Sequence, residues 1–259
     1  YNNLMKTLQE NPYSEEFLPY ERLIERLYEN FSSGDTLDNL ATDRNSEDYT
    51  KILGLKEVPI SEHSLVLDIA VGRSRYQAND FGVEGLKIVK ADVDPKFSDV
   101  EKRNVLNISD SSEKYDELWG LHLMRYIDIL LPPPVKQRVV IACQQLGLPF
   151  YQIYENLLTA FGLIAFREML RVIKFSGRVR LGGYEHHFRQ GKMIFAILKG
   201  ISEQKLKGIS ISGVEVHDSE EKNIFFSKTS EYIQKNVDAY VIECLKKLVP
   251  HELLTFSWN

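Results

Sequence analysis

The chain has 259 residues, 43% of them hydrophobic and 27% charged, which excludes a disordered chain and allows a sizeable buried core. Its formal net charge of −5 argues against a non-specific nucleic-acid binder, which carries a basic excess. No apolar run reaches the roughly 20 residues of a membrane-spanning helix; the nearest, "FYQIYENLLTAFGLIAF", is interrupted by Glu155 and Asn156.

The first sixty residues read as helical. In "SEEFLPYERLIERLYENF", Phe17, Leu23, Ile24, Leu27 and Phe31 fall near one face, and Ser14 followed by Glu15 and Glu16 suits a helix start. "SSGDT" breaks the pattern, and "NSEDYTKILGL" predicts a second short helix with Gly54 near its end. From Ser64 the character changes. "SLVLDIA" is a short continuous apolar run, suited to a strand buried on both faces. "GLKIVKADVD", "YDELWGLHL" and "GRVRLGGYE" predict three more strands, the last preceded by the helical stretch "AFREMLRVIKF". Strands alternating with helix-sized intervals predict βα units and a parallel sheet.

About forty residues separate "LMRYID" from "AFREML", with Pro132 to Pro134 and Pro149 expected to stop any helix there. This is an insertion at a strand end, where specificity tends to reside. "GKMIFAILKGISEQKL" predicts a helix. "GISISGVEVHD" and "KNIFFSKTS" predict two strands joined by "SEEK", a turn too short for a parallel crossover, so they pair antiparallel. A last helix, "SEYIQKNVDAYVIECLKKLV", follows.

The stretch "LVLDIAVGRSRYQ", Leu65 to Gln77, carries the first chemical signal. In open α/β sheets ligands bind at the carboxyl ends of strands, beside the point where strand order reverses. A strand ending in an acid, then small residues, then a helix start suits that role, because small residues admit a close backbone and helix N-termini offer free N–H groups. Asp68, Ala70, Gly72 and Ser74 take those positions; a plain buried strand and loop is the alternative. A second strand ends at Asp92, 24 positions beyond Asp68, where an ionised carboxylate can accept hydrogen bonds from ribose hydroxyls. A solvated turn acid before Pro95 is the other reading of Asp92, and Asp94 is its neighbouring candidate.

In order and spacing, these motifs resemble the class I S-adenosylmethionine (SAM)-dependent methyltransferases. "LVLDIAVGRSR" looks like that family's first motif, and "VKADVDP" is similar to its ribose-binding strand end. "RNVLNIS" resembles the segment that brackets adenine, which implies Asn104 and Val105 beside the base, with Asn104 where the family usually has Asp. "REMLRVIKFSGRVRLGGY" resembles the helix, turn and fifth strand, with Phe175 and Ser176 in place of Pro-Gly. The closing strand–turn–strand matches the family's antiparallel seventh strand. Ala70 and Ser74 replace glycines of the first turn; the alanine is tolerated if its φ stays negative.

The resemblance implies an α/β fold: a Rossmann-like three-layer sandwich with a mostly parallel seven-stranded sheet, an antiparallel last strand and an N-terminal helical cap. The expected division is a cap over 1–60 and a methyltransferase-like domain over 61–259, with a helical insertion at about 128–162. SAM is the implied cofactor, S-adenosylhomocysteine (SAH) its product and a small molecule the acceptor. Bound residues would be Asp68, Ala70, Gly72, Asp92, Asn104 and Val105. His122, after the fourth strand, is the candidate general base, against a buried structural histidine. Tyr184, Glu185, His186 and His187 follow the fifth strand; "EHH" invites a metal, but adjacent extended residues face opposite ways and no third ligand is evident, so none is expected. Arg73 and Arg75 meet the methionine carboxylate or solvent, and Trp119 stacks on the cofactor or fills the core.

Two cysteines in apolar contexts and no charged-then-apolar start suggest a cytoplasmic protein with buried thiols. No membrane or nucleic-acid partner is expected, and oligomeric state is unreadable. The rivals are a catalytically inactive methyltransferase-like binding or scaffold protein, motivated by the lost glycines, and a nicotinamide-dependent dehydrogenase, opposed by the C-terminal hairpin.

Overall fold

The computed structural model describes residues 13–29, 43–123, 125, 127, 131–184, 188, 191–215, 221–228 and 233–258. Seven strands form one sheet in the order β3-β2-β1-β4-β5-β7-β6. They are β1 (Leu65–Ile69), β2 (Lys87–Asp92), β3 (Glu101–Lys102), β4 (Tyr115–Leu121), β5 (Ile173–Tyr184), β6 (Ile209–Glu215) and β7 (Glu221–Lys228). β1, β2, β3, β4 and β5 pair parallel, whereas β7 runs antiparallel to both β5 and β6. This is the seven-stranded, Rossmann-like α/β sheet with an antiparallel last strand that the sequence resemblance implied. Residues 216–220, which hold most of the expected turn, lie outside the described set.

Alternation along the strands sends side chains to two separate cores. Leu67, Ile69, Leu118, Val179, Leu181 and Phe226 enter the larger one, while Val66, Trp119 and Leu121 enter the smaller. The larger core is covered by α3 (Pro133–Leu146), α4 (Phe150–Val172), α5 (Lys192–Ser202) and α6 (Ile233–Leu248). α4 is apolar around most of its circumference and is buried without a break from Ala160 to Leu170, as an all-round hydrophobic helix requires.

The prolines act differently from the expectation. Pro133 and Pro134 occupy the first turn of α3, and Pro149 is the N-cap of α4. A missing N–H costs nothing in a first turn, where that group has no intrahelical partner, so each proline opens a helix instead of excluding one. α4 is continuous through residue 162.

The two described N-terminal helices join opposite layers. α1 (Ser14–Leu27) buries Phe17, Tyr20, Leu23, Ile24 and Leu27 in the larger core, with the Arg167 guanidinium 3.8 Å from the Phe17 ring centroid. Arg138 of α3 donates to the carbonyls of Arg26 and Glu29 at its C-terminal end. α2 (Ser46–Ile52) lies on the other face, burying Tyr49 and Ile52. Asn45 starts it with a capping box: its Oδ1 accepts from Glu47 N (2.9 Å) and Asp48 N (3.0 Å), and Asp48 Oδ2 accepts from Asn45 N.

A buried ion pair binds the following loop to the sheet on that second face. Arg180, fully buried, donates to Glu117 through Nε (2.6 Å) and Nη2 (2.9 Å) and reaches the Leu53 carbonyl at 3.4 Å. The bidentate geometry satisfies both carboxylate oxygens where solvent cannot. Trp119 Nε1 adds a third donor to Glu117 at 3.0 Å, which places the Trp119 indole in the core. A seventh helix, α7 (His251–Thr255), follows Pro250 and contacts α1 and α3.

Candidate functional site

β1 is flanked by β2 and β4, so strand order reverses there and the carboxyl ends of these three strands define the expected crevice. Register brings the ends level: Ile69 pairs with Ala91, and Asp68 with both Lys90 and Trp119. The turn after β1 then folds toward β2. Val71 N donates to Ala91 O (3.2 Å), and Gly72 N donates to Asp92 Oδ2 (2.9 Å). Asp94 N donates to Asp92 Oδ1 at 2.9 Å. Asp92 is part-exposed; burial pushes its carboxyl above the usual range while the Asp94 and Gly72 amides pull it back.

Ala70 has φ +68 and Gly72 φ +59. The condition of a negative φ at Ala70 is therefore not met. The alanine holds the left-handed conformation of a glycine, at a strain of about 1–2 kcal/mol. The helix expected directly after this turn is also absent. Only a four-residue 3-10 helix, Ala78–Phe81, precedes β2. The chain instead turns inward, burying Val71, Ser74 and Tyr76 in the smaller core.

That inward path explains Asp68, which is 0% exposed. The Tyr76 hydroxyl donates to its Oδ2, and the Tyr76 and Tyr49 rings pack at a tilt of 54° with centroids 4.7 Å apart. Burial pushes the Asp68 carboxyl up to about 7, partly opposed by the Tyr76 and Tyr49 hydroxyls. Asp68 thus lies beneath the turn and ties it down through Tyr76, whereas Asp92 lies at its surface.

Beyond β2, Arg103 N donates to Asp92 O (2.8 Å), carrying the chain past the same strand end. Asn104 Oδ1 accepts from Leu106 N at 3.0 Å, and Val105 is buried in the larger core. Arg75 is drawn aside, its guanidinium 5.1 Å from the Phe97 ring centroid.

His122 follows β4 with φ +56 and only 5% exposure. Its backbone N donates to Gly182 O (2.7 Å), and its ring centroid lies 5.0 Å from that of Tyr184. Arg44 Nη2 lies 3.1 Å from His122 Nε2. A guanidinium can only donate, so Nε2 is the acceptor and the ring proton sits on Nδ1. The Arg44 carbonyl also accepts from Arg75 N (3.0 Å), so Arg44 spans from the β1 turn to the end of β4.

Sequence reasoning missed Arg44, Tyr49 and Tyr76. Arg44 precedes the capping box by one residue, a weak signal; Tyr76 stood inside the quoted motif, where an aromatic in a small-residue turn could have signalled burial. Glu185, His186 and His187 lie outside the described residues. Among the described residues no group of three or more His, Cys, Asp or Glu could hold a metal ion, and no helix is long and apolar enough to cross a membrane.

No family model matches the chain, and no curated protein matches its sequence. Solved structures resemble it. A TehB-like SAM-dependent methyltransferase from Corynebacterium glutamicum is 14% identical over 74% of this chain and 92% of its own, with a TM-score of 0.42. The N-methyltransferase NodS from Bradyrhizobium japonicum is 13% identical over 71% and 96%, with a TM-score of 0.38. A phosphoethanolamine N-methyltransferase from Haemonchus contortus, solved with SAH, is 10% identical over 80% and 56%, with a TM-score of 0.37. The strand order itself defines a Rossmann-like α/β protein of the seven-strand type found in class I SAM-dependent methyltransferases.

Proposed function

We propose that the chain binds SAM across the carboxyl ends of β1 and β2 and directs methyl transfer to a small-molecule acceptor beside the end of β4. One observation carries this reading: the 2.9 Å bond from Gly72 N to Asp92 Oδ2, which brings the turn and the acid to one point at the reversal of strand order.

The residues fit the group. Asp92 uses one acceptor site on each oxygen for a backbone amide and keeps others for ribose hydroxyls. Gly72, without a Cβ, admits a close ligand, and Ala70 preserves the glycine path of the turn at a cost in strain. Asn104 and Val105 would flank the adenine. Asp68 supports from below by holding Tyr76. Bound there, SAM supplies an electrophilic methyl group on a sulfonium. The chain supplies alignment, which alone is worth about 7–11 kcal/mol of a bimolecular barrier.

On the acceptor side, His122 can take a proton only if Arg44 releases Nε2. An acceptor ionised at neutral pH needs no such base. The two free cysteines, Cys143 and Cys244, suit a reducing compartment such as the cytoplasm.

The absence of a helix after the turn favours a second reading, a catalytically silent protein that keeps the fold. Isothermal calorimetry with SAM and SAH decides between them. The enzyme reading expects saturable binding of both; no heat at millimolar ligand, with the protein folded, supports the silent one.

A further inference from the structure

We infer that a groove between α4, α5 and α6 binds an amphipathic anion, an unbranched acyl chain with a carboxylate head. The site is separate from the crevice at the strand ends and does not depend on the methyltransferase reading, because its walls belong to the helical layer over the larger core.

Among the described residues these three helices enclose a groove of about 510 Å³, within the range of small-molecule sites. It follows α5 from Gly191 at the N-cap to Glu203 at the C-cap, roughly 18 Å at 1.5 Å per residue. Between those ends it is lined by Leu163 of α4, Ala196 of α5, and Tyr240, Cys244 and Leu248 of α6. The last three are spaced four apart and so form one stripe of their helix. The Tyr240 hydroxyl is engaged, donating to Ala196 O at 2.6 Å, and burial pushes the Cys244 thiol up, which keeps it neutral. Phe195, 73% exposed, adds an apolar ring at the margin. A long apolar lining suits a linear chain better than a compact ring system.

The charges lie toward the ends. Four lysines and two glutamates line the groove, an excess of two positive charges (4 − 2) in a chain of net charge −5. At the Gly191 end, Lys192 meets Glu155, outside the lining, at 2.7 Å, which balances one of them. The other falls at the opposite end. There Lys247 and Lys205 both donate to Glu243 Oε1, at 2.7 and 3.0 Å, and pull its carboxyl down to about 2. Lys199 and Lys205 share Glu203 at 3.8 and 3.4 Å. Three ammoniums, each with three donors, thus face two carboxylates. One carboxylate head between Lys205 and Lys247 balances that surplus, and its chain then runs past Tyr240 and Ala196 toward Gly191.

Calorimetry on the full chain with octanoate, octanol and acetate tests the inference. Octanol keeps the chain without the charge, and acetate the charge without the chain. Octanoate should bind saturably, octanol about fivefold more weakly and acetate not measurably. The Lys205→Gln, Lys247→Gln double variant, changed at exposed positions, should bind octanoate about fivefold more weakly, the scale of two exposed ion pairs, and octanol as before. Phe195→Ser should weaken both. Saturating octanoate should also slow labelling of Cys244 by iodoacetamide, followed by mass spectrometry, with Cys143, 1% exposed, as the internal reference. Melting curves establish that each variant is folded.

Equal affinity for octanoate and octanol, or undiminished octanoate affinity in the double variant, would overturn the inference. So would the absence of heat at millimolar octanoate. Sedimentation of the chain with phosphatidylglycerol vesicles, without binding of monomeric octanoate, would overturn it in favour of a membrane-docking face.

Discussion

The two faces of the sheet are built differently. One is covered by four long helices over an apolar core; its buried charges are fully engaged, with Arg167 donating to Asp238 (2.9 Å) and Glu168 (2.7 Å). Among the described residues the other is covered by the short α2, a 3-10 turn and an aromatic group of Tyr49, Tyr76, Phe81 and Trp119 with ring centroids 4.7–6.5 Å apart. Around that group sit a buried acid, Asp68, and the Arg180–Glu117 pair. The first face supplies hydrophobic stability. The second shapes the turn that carries Gly72, and does so with polar groups whose energies depend on protonation and geometry.

The difference breaks most visibly on the helical face. Phe166 is fully buried against Phe226, ring centroids 5.3 Å apart. Phe166→Ala should cost about 3–5 kcal/mol in denaturant unfolding, at any pH near neutrality. A loss below about 1 kcal/mol would mean that this core is loosely packed.

Asp68 predicts a pH dependence for the second face. Its carboxyl titrates near 3.8 when solvated and near 7 when folded, so between those values the folded chain holds a proton that the unfolded chain releases. Stability should therefore fall as pH rises from about 4 to 7, by on the order of 4 kcal/mol, and level off above. Asp68→Asn keeps the acceptor for Tyr76 and should remove that component of the slope. Parallel wild-type and Asp68→Asn curves across this window would show that the acid is solvated.

Ala70 sharpens the contrast with the smallest effect. Ala70→Gly relieves the left-handed strain at φ +68, offset by the greater chain entropy of glycine, and should stabilise by about 0.5–1 kcal/mol in thermal unfolding. Destabilisation would mean that the methyl group packs usefully.

The strands were readable because each buried one is a short apolar run between polar turns, and the spacing from Asp68 to Asp92 followed from one βαβ-length interval. The antiparallel close was readable because "SEEK" leaves no room for a crossover. The helix after β1 was not, because a small-residue turn predicts a helix only where the next residues face solvent; here Val71 and Tyr76 turn into the smaller core. The prolines misled because a residue type says that a helix cannot pass, not whether one begins. His122 was found by its position after β4, but its partner Arg44 lies 78 residues away in sequence, and no local pattern joins them.

SAH affinity measured by calorimetry on wild type and Asp92→Ala tests the central claim most directly. With the ribose held by that carboxylate, the variant should bind about 1–3 kcal/mol more weakly while remaining folded. Equal affinity in the two proteins would contradict the placement of an adenosyl group where the ends of β1 and β2 meet.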